Sequence, residues 1–357
     1  MVPTNKQIAV LHPFINNKGG AVNMMIYLST FLSKNNNNVS LYTFSYDRLI
    51  FPLDLEVVFF KNFKLVSFFK IAYQIRNCDY IIIGNSPMQF VGVFSKIFFA
   101  SKAKLIWWHH HYPWYYSQNA NVFVLLKRLL EKIFIKKIDS VIVNSKYLQS
   151  SIKDIYEIDS KILYPVLDNQ FLSYNNENKN TNFNPNTLFT YGRWGEGKNI
   201  DLIFNVYDNL KNKSRDLVLI VGGEGEKLNY YKDKYKNEKS IKFLGMVDKT
   251  QIIENLEKSS LFLFPSKIDS FGLVILESMS IGVPVVSFNI AGAKEIIKNG
   301  ISGYLVDSDD EFIEKTYKVL NNSELRQNLS IEAVKTAKTF SEDTFYKNLS
   351  DIFNSMK

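Results

Sequence analysis

Phe264-Pro-Ser-Lys-Ile-Asp269-Ser-Phe-Gly272-Leu-Val-Ile-Leu-Glu277-Ser-Met-Ser-Ile-Gly282-Val-Pro284-Val-Val is the stretch that decides the fold. It opens on the short apolar run Leu261–Phe264, a buried strand by length and composition. A loop through Ser270 and Gly272 leads into a helix over Leu273–Ser280, which Gly282-Val-Pro284 ends as the next strand begins. The N-terminus of such a helix carries free N–H groups and the positive end of the helix dipole, which together seat a phosphate. Glu277 lies eight residues beyond Asp269, at most about 12 Å along a helix axis at 1.5 Å per residue. That spacing suits two carboxylates gripping opposite ends of a nucleotide-sugar, one at the hexose and one at the ribose, with the pyrophosphate between them.

Outward from this segment the chain alternates apolar runs with amphipathic stretches of helix length, the pattern of an α/β protein with parallel sheets. In the first half, strands are expected at 8–12, 39–44, 80–83, 105–108 and 140–143, with a helix over 21–33 and a last extended run at 161–165. The second half has strands at 187–191, 217–221, 241–244, 261–264 and 283–288, and a helix from Ile200. Between the halves, 174–186 holds seven asparagines in thirteen residues and no apolar periodicity, the composition of an exposed linker. The expected organisation is a first α/β domain over 1–170, a linker over 171–186 and a second α/β domain over 187–340. A final helix over 341–357 is expected to pack back towards the first domain. Doubly wound sheets bind ligands at the carboxyl ends of their strands, so a cleft between the domains is the expected site.

Composition narrows the class. Of 357 residues, 46 % are hydrophobic and 22 % charged, which excludes wholesale disorder. A single cysteine, Cys78, excludes an intrachain disulfide framework and a Cys-rich zinc module. Three of the four histidines are adjacent, at His109, His110 and His111, which leaves little for a His-based metal site. No secretory signal is legible ahead of Gln7, and no apolar run approaches the length of a membrane span. A soluble protein of a reducing compartment is expected. The net charge of +8 favours an anionic partner without naming one.

Several segments together resemble glycosyltransferase family 4, the retaining GT-B enzymes. The family pattern E-G-F-G-L-x-x-x-E-A-M-A-x-G-x-P-V-V is matched here by Phe271, Gly272, Leu273, Glu277, Met279, Gly282 and Pro284. The chain departs from it at the first acid, which is Asp269, and at Ser270, where the family has glycine. Downstream, Ala291-Gly292-Ala-Lys-Glu295 and Asn299-Gly300-Ile-Ser-Gly303 are similar to two further family runs. Upstream, Tyr191-Gly192-Arg193-Trp-Gly-Glu-Gly197-Lys198 resembles the family's G-R…K-G element. Val221-Gly-Gly223-Glu-Gly225 resembles i-V-G-x-G, and Phe243-Leu-Gly245-Met246-Val247 resembles the turn whose backbone reads the base. Gly19-Gly20 matches a glycine pair near the donor phosphates and acceptor in the first domain.

The resemblance implies a GT-B fold, two Rossmann-like doubly wound domains facing a central cleft. It implies retaining transfer of a hexose from a GDP- or UDP-linked donor to a saccharide or lipid-linked acceptor in cell-surface glycan or glycolipid synthesis, with no cofactor and no required metal. Arg193 and Lys198 would stabilise the departing diphosphate, as two cations do without a metal. Asp269 would hold the hexose and Glu277 the ribose, with Gly192, Gly223, Met246, Val247, Ser270, Phe271, Gly272 and Leu273 around the donor. His111 would orient the sugar, with His110 one residue away as the alternative. The His111-Tyr-Pro113 triplet, with Val143-Asn144-Ser145 and Tyr164-Pro165, is most similar to mannosyltransferases that extend lipid-linked oligosaccharides, so mannose is the favoured hexose.

Two stretches, 59–70 and 122–137, interleave aromatic and aliphatic residues with Lys and Arg. Cationic amphipathic segments of this kind bind anionic bilayers in the interface plane, which suggests a peripheral place on the cytoplasmic face of a membrane. Three rivals remain. A GT-B epimerase would use a carboxylate base and no acceptor, against which the Arg/Lys and Asp269–Glu277 set argues. A nucleotide-binding scaffold with a decayed site draws support from Asp269. A nucleic-acid binder lacks any recognised motif.

Overall fold

The computed structural model describes residues 1–357 apart from 17–18, 49–53, 62–63, 111–121, 175–184, 215 and 357, and for 122–128 the backbone alone. Its contacts divide the chain into two units, Met1–Pro165 with Asp343–Lys357, and Val166–Glu342.

In the first unit the strands are β1 (Gln7–Leu11), β2 (Phe14–Ile15), β3 (Asn38–Thr43), β4 (Ser45–Tyr46), β5 (Glu56–Phe59), β6 (Tyr80–Ile83), β7 (Lys104–His109), β8 (Ser140–Val143) and β9 (Lys161–Ile162). Seven of them form one sheet in the order β5-β3-β1-β6-β7-β8-β9, and β2 pairs separately with β4. All pairings are parallel. Helices cover both faces of such a sheet, which is why Ile81, Ile82 and Ile83 in sequence are all buried instead of alternating. The helix Glu342–Asn354 belongs largely to this unit. Its Phe345 meets Tyr27 and Trp108 edge-on or tilted, and Phe353 meets Tyr80.

The second unit carries β10 (Thr187–Arg193), β11 (Val218–Glu224), β12 (Ile241–Gly245), β13 (Leu261–Phe264), β14 (Val285–Phe288) and β15 (Gly303–Val306). They form one sheet in the order β12-β11-β10-β13-β14-β15, again parallel throughout. Its core joins Leu188, Leu219 and Val221 of the sheet to Phe204 and Tyr207 of the helix Ile200–Leu210 and to Phe312. Residues 166–170 group with this unit. Asp168 caps the short helix Asn169–Leu172 through the N–H of Gln170, its carboxylate pairs with Lys249, and Phe171 is buried. Of the Asn-rich stretch, 175–184 lies outside the described residues.

Candidate functional site

From β10 the second unit winds through β11 to β12 on one side, then returns to β13 on the other side of β10. The strand order therefore reverses between β10 and β13, and ligands of open α/β sheets bind beyond the carboxyl ends of the strands at that point. Arg193 closes β10 with its side chain exposed, and Asp269–Gly272 follows β13. Two segments far apart in sequence are thus brought to one place by winding alone.

Lys198 and Asp269 meet there, Nζ to Oδ2 at 2.6 Å, with side chains 31 % and 22 % exposed. A partly exposed pair of this kind stabilises the fold by at most about 1 kcal/mol, so what it supplies is geometry. The other oxygen of Asp269 accepts the N–H of Phe271 at 3.1 Å, an Asx-type turn that sets the loop before the helix. A second tie is the N–H of Lys267 donated to the carbonyl of Gly197 at 2.9 Å. Gly272 then enters the helix Leu273–Ser280 at φ 92°, with no side chain capping the first turn. Only glycine adopts that backbone freely, and the uncapped turn suits an anionic ligand.

Glu277, one turn from the end of this helix, is half-buried and accepts a hydrogen bond from the phenol of Tyr191 on β10. Burial raises its carboxyl above the ordinary glutamate range; the Tyr191 bond and Lys249 pull the other way, and Asp168 adds to the rise. Tyr191 is itself raised well above its usual value, first by burial and then by the Glu277 charge.

Gly223 approaches the β10 backbone so closely that a Cβ there, at φ 99°, would stand 1.8 Å from the carbonyl oxygen of Gly192. A register shift between Val221 and Gly222 pairs Gly222 with Gly245. That irregularity re-aims the Gly245-Met246-Val247 turn, leaving Met246 exposed and the Val247 methyls beside Gly222. Ser270 and Leu273 are half-buried and Phe271 is buried. The expected donor residues of the second half therefore share one end of one sheet.

In the first unit, Gly19 caps the helix Gly20–Lys34 without a side-chain bond. His110 is buried, and its ring lies 4.6 Å from that of Trp108. His111 lies outside the described residues. Sequence reasoning missed His12, which is buried just after β1. Its Nδ1–H donates to the carbonyl of Phe14 at 2.9 Å, and Nε2 accepts from Asn85, after β6, at 3.2 Å. Its signal was the polar residue directly following an apolar strand. Tyr191 was missed too, although it stands inside a quoted motif. So was the packing of Gly292, where a Cβ would come within 2.4 Å of the Phe271 backbone.

The helices Leu65–Gln74, Met88–Phe99 and Val122–Ile135 adjoin through Phe69, Phe94 and Phe134. Leu65, Val66, Phe98, Leu129 and Ile133 are exposed among the exposed Lys64, Lys70 and Lys132. Glu131 is the one acid in the three helices, and it is buried, accepting from Gln89 at 2.8 Å and from Tyr156 at 3.2 Å. Among the described residues, no helix is long and apolar enough to cross a membrane, and no group of three His, Cys, Asp or Glu is placed to hold a metal ion.

A model of the glycosyl transferases group 1 matches residues 174–336, and one of glycosyltransferase family 4 matches 18–168. The amylovoran biosynthesis glycosyltransferase AmsD of Erwinia amylovora is 24 % identical over 98 % of this chain and 99 % of its own. HepE of Anabaena, solved with UDP-glucose, aligns at a TM-score of 0.79 and 18 % identity, covering 98 % of this chain and 100 % of its own. A TarM variant of S. aureus, solved with UDP, fondaparinux and α-GlcNAc-glycerol, aligns at 0.78 and 15 %, covering 98 % and 100 %.

Proposed function

Because the chain belongs to the glycosyltransferases built from a family 4 and a group 1 domain, with the GT-B architecture, we propose that it transfers a hexose, with retention, from a nucleoside diphosphate sugar to a saccharide or lipid-linked acceptor in cell-surface polysaccharide or glycolipid synthesis. The observation that carries this reading is the Lys198–Asp269 pair beside the uncapped Leu273–Ser280 helix at the switch point of the second sheet. A cation and a helix N-terminus there suit a diphosphate, and Asp269 stands next to them for the hexose. The likeness to HepE and TarM, both solved with UDP or UDP-glucose, favours a UDP-linked donor. The H-Y-P triplet favours mannose and hence GDP.

In the proposed reaction the acceptor hydroxyl attacks the anomeric carbon on the face from which the diphosphate leaves. The bond from that carbon to the phosphate oxygen breaks, and the hydroxyl proton passes to the departing phosphate. Arg193, Lys198 and the N–H groups at Gly272 stabilise the negative charge that grows on the leaving group. Asp269 holds the hexose, Glu277 the ribose, and His111 is the proposed sugar-orienting histidine. No metal enters this scheme.

A thermal-shift panel of UDP-, GDP- and ADP-sugars tests the donor, since a ligand at 100 times its Kd adds about 2.7 kcal/mol of stability. Stabilisation by one base class, followed by acceptor-dependent release of that nucleotide, is expected. No stabilisation by any of them overturns the reading. The acceptor side of the reading includes an anionic bilayer, supported by the outward lysines and exposed apolar residues of the three-helix face. The protein should sediment with anionic but not neutral liposomes and be released by high salt; equal sedimentation with both removes the membrane.

A further inference from the structure

Tyr191 has no role in the proposed reaction, yet its hydroxyl donates to Glu277, the carboxylate proposed for the ribose. It is the fifth residue of β10, in register with Gly222 of β11. A Cβ on Gly222 would stand 3.0 Å from the Cβ of Tyr191, so a glycine there clears space for the tyrosine. The ring stacks on Phe189 at 5.4 Å between centroids and meets Phe262 of β13 edge-on at 5.4 Å. Two aromatic neighbours on adjacent strands therefore fix the ring, and its hydroxyl ends on Oε2 of Glu277. An apolar side chain would fill this place as well for packing alone. A phenol with its donor aimed at one oxygen of a half-buried carboxylate does more: it fixes the carboxylate rotamer and leaves Oε1 to accept from a ligand.

We propose that Tyr191 is a positioning residue for the nucleotide: it holds Oε2 of Glu277 so that Oε1 is presented to the ribose hydroxyls. The proposal rests on the reading that Glu277 takes the ribose. In this role Tyr191 acts through the carboxylate, to which its hydroxyl donates. Its contribution must therefore vanish when the ribose has no hydroxyls to offer, which a residue needed only for folding would not show.

The experiment is calorimetric binding of UDP and GDP, each beside its 2′,3′-dideoxy analogue, to the wild type, Tyr191→Phe and Glu277→Gln. Tyr191→Phe keeps both ring contacts and removes only the donor. It should weaken the ribonucleotide that binds by roughly 10-fold, the scale of a lost bond to a charged group, and leave its dideoxy analogue unchanged. Equal weakening of both ligands, or of neither, overturns the positioning role. The underlying reading fails separately, if Glu277→Gln discriminates ribo from dideoxy ligand as well as the wild type does. Should Tyr191→Phe unfold because the carboxylate is left unpaired, the double variant Tyr191→Phe/Glu277→Gln takes its place. It should bind ribonucleotide no worse than Glu277→Gln alone, and a further loss there overturns the proposal.

Discussion

Beyond β10 and β11 the second unit runs backbone against backbone, with Gly223 leaving no room for a Cβ beside the Gly192 carbonyl. At the corresponding switch point of the first unit, between β1 and β6, the strands' ends are joined by side chains instead, with His12 bridging Phe14 and Asn85. Both sheets are parallel and doubly wound, so the difference does not come from topology. The diphosphate proposed for the second unit would be bound by backbone N–H groups and a few charges, which favours close-packed main chain and hence glycine. An end filled by side chains is shaped by their identity and changes with whatever it must fit. Motifs are therefore dense in the second half and scattered in the first.

The sharpest way to break this contrast is a matched pair of glycine substitutions. Gly223→Ala forces a left-handed backbone on alanine and a Cβ into a carbonyl oxygen, and should destabilise by about 2–5 kcal/mol, combining αL strain with overpacking. In Gly84→Ala the nearest atom to the new Cβ is Cδ2 of the His12 ring, at 2.7 Å. That ring is buried and held at both nitrogens, and the Leu11 carbonyl oxygen stands 3.2 Å from the new Cβ, but with no left-handed backbone to adopt the cost should stay at about 1–3 kcal/mol. Chemical denaturation measures both; equal losses would show that the two ends are built alike.

Next in size, Arg193→Ala or Lys198→Ala should reduce turnover on the order of 10²-fold or more, the effect of losing a donor to the transition state. Steady-state release of nucleotide reads this out, and wild-type rates in both variants would place the diphosphate elsewhere. A finer cut separates the two carboxylates. Asp269→Asn should lower turnover strongly with nucleoside diphosphate affinity nearly unchanged, whereas Glu277→Gln should weaken that affinity by about 1.5–3 kcal/mol. Equal loss of affinity in both would end the division of labour.

The smallest effect concerns pH. With its folded-state carboxyl raised by burial and by the nearby Asp168 charge, against the Tyr191 hydrogen bond and Lys249, Glu277 keeps in the folded chain a proton that the unfolded chain has already released. The stability it contributes is thus full below the ordinary glutamate value of 4.5 and is lost as pH rises through the folded value. Unfolding free energies at pH 4 and pH 7 should show the wild type losing ground to Glu277→Gln on going to the higher pH; a constant difference would contradict a raised carboxyl.

Much of the frame is legible in the sequence. The strands at 80–83, 140–143 and 261–264 and the helix at 273–280 fall where the apolar runs place them, because fully buried parallel strands write themselves as unbroken aliphatic runs. The glycines and the Asp269–Glu277 spacing were legible because backbone geometry permits few residues there. The expected extended run at 161–165 shrinks to Lys161–Ile162, since an edge strand pairs on one side and its apolar residues serve other contacts.

What the sequence determined alone is therefore the local part: element types, the helix opened by Gly272, and the kinds of charged residue available to a diphosphate. Tertiary structure decided which of these meet. Lys198 finds Asp269 across 71 positions of sequence and Tyr191 finds Glu277 across 86, and neither pairing is encoded in spacing. They exist because the strand order reverses between β10 and β13 and brings the two loops to one end of the sheet, a consequence of how parallel strands wind that no local pattern carries.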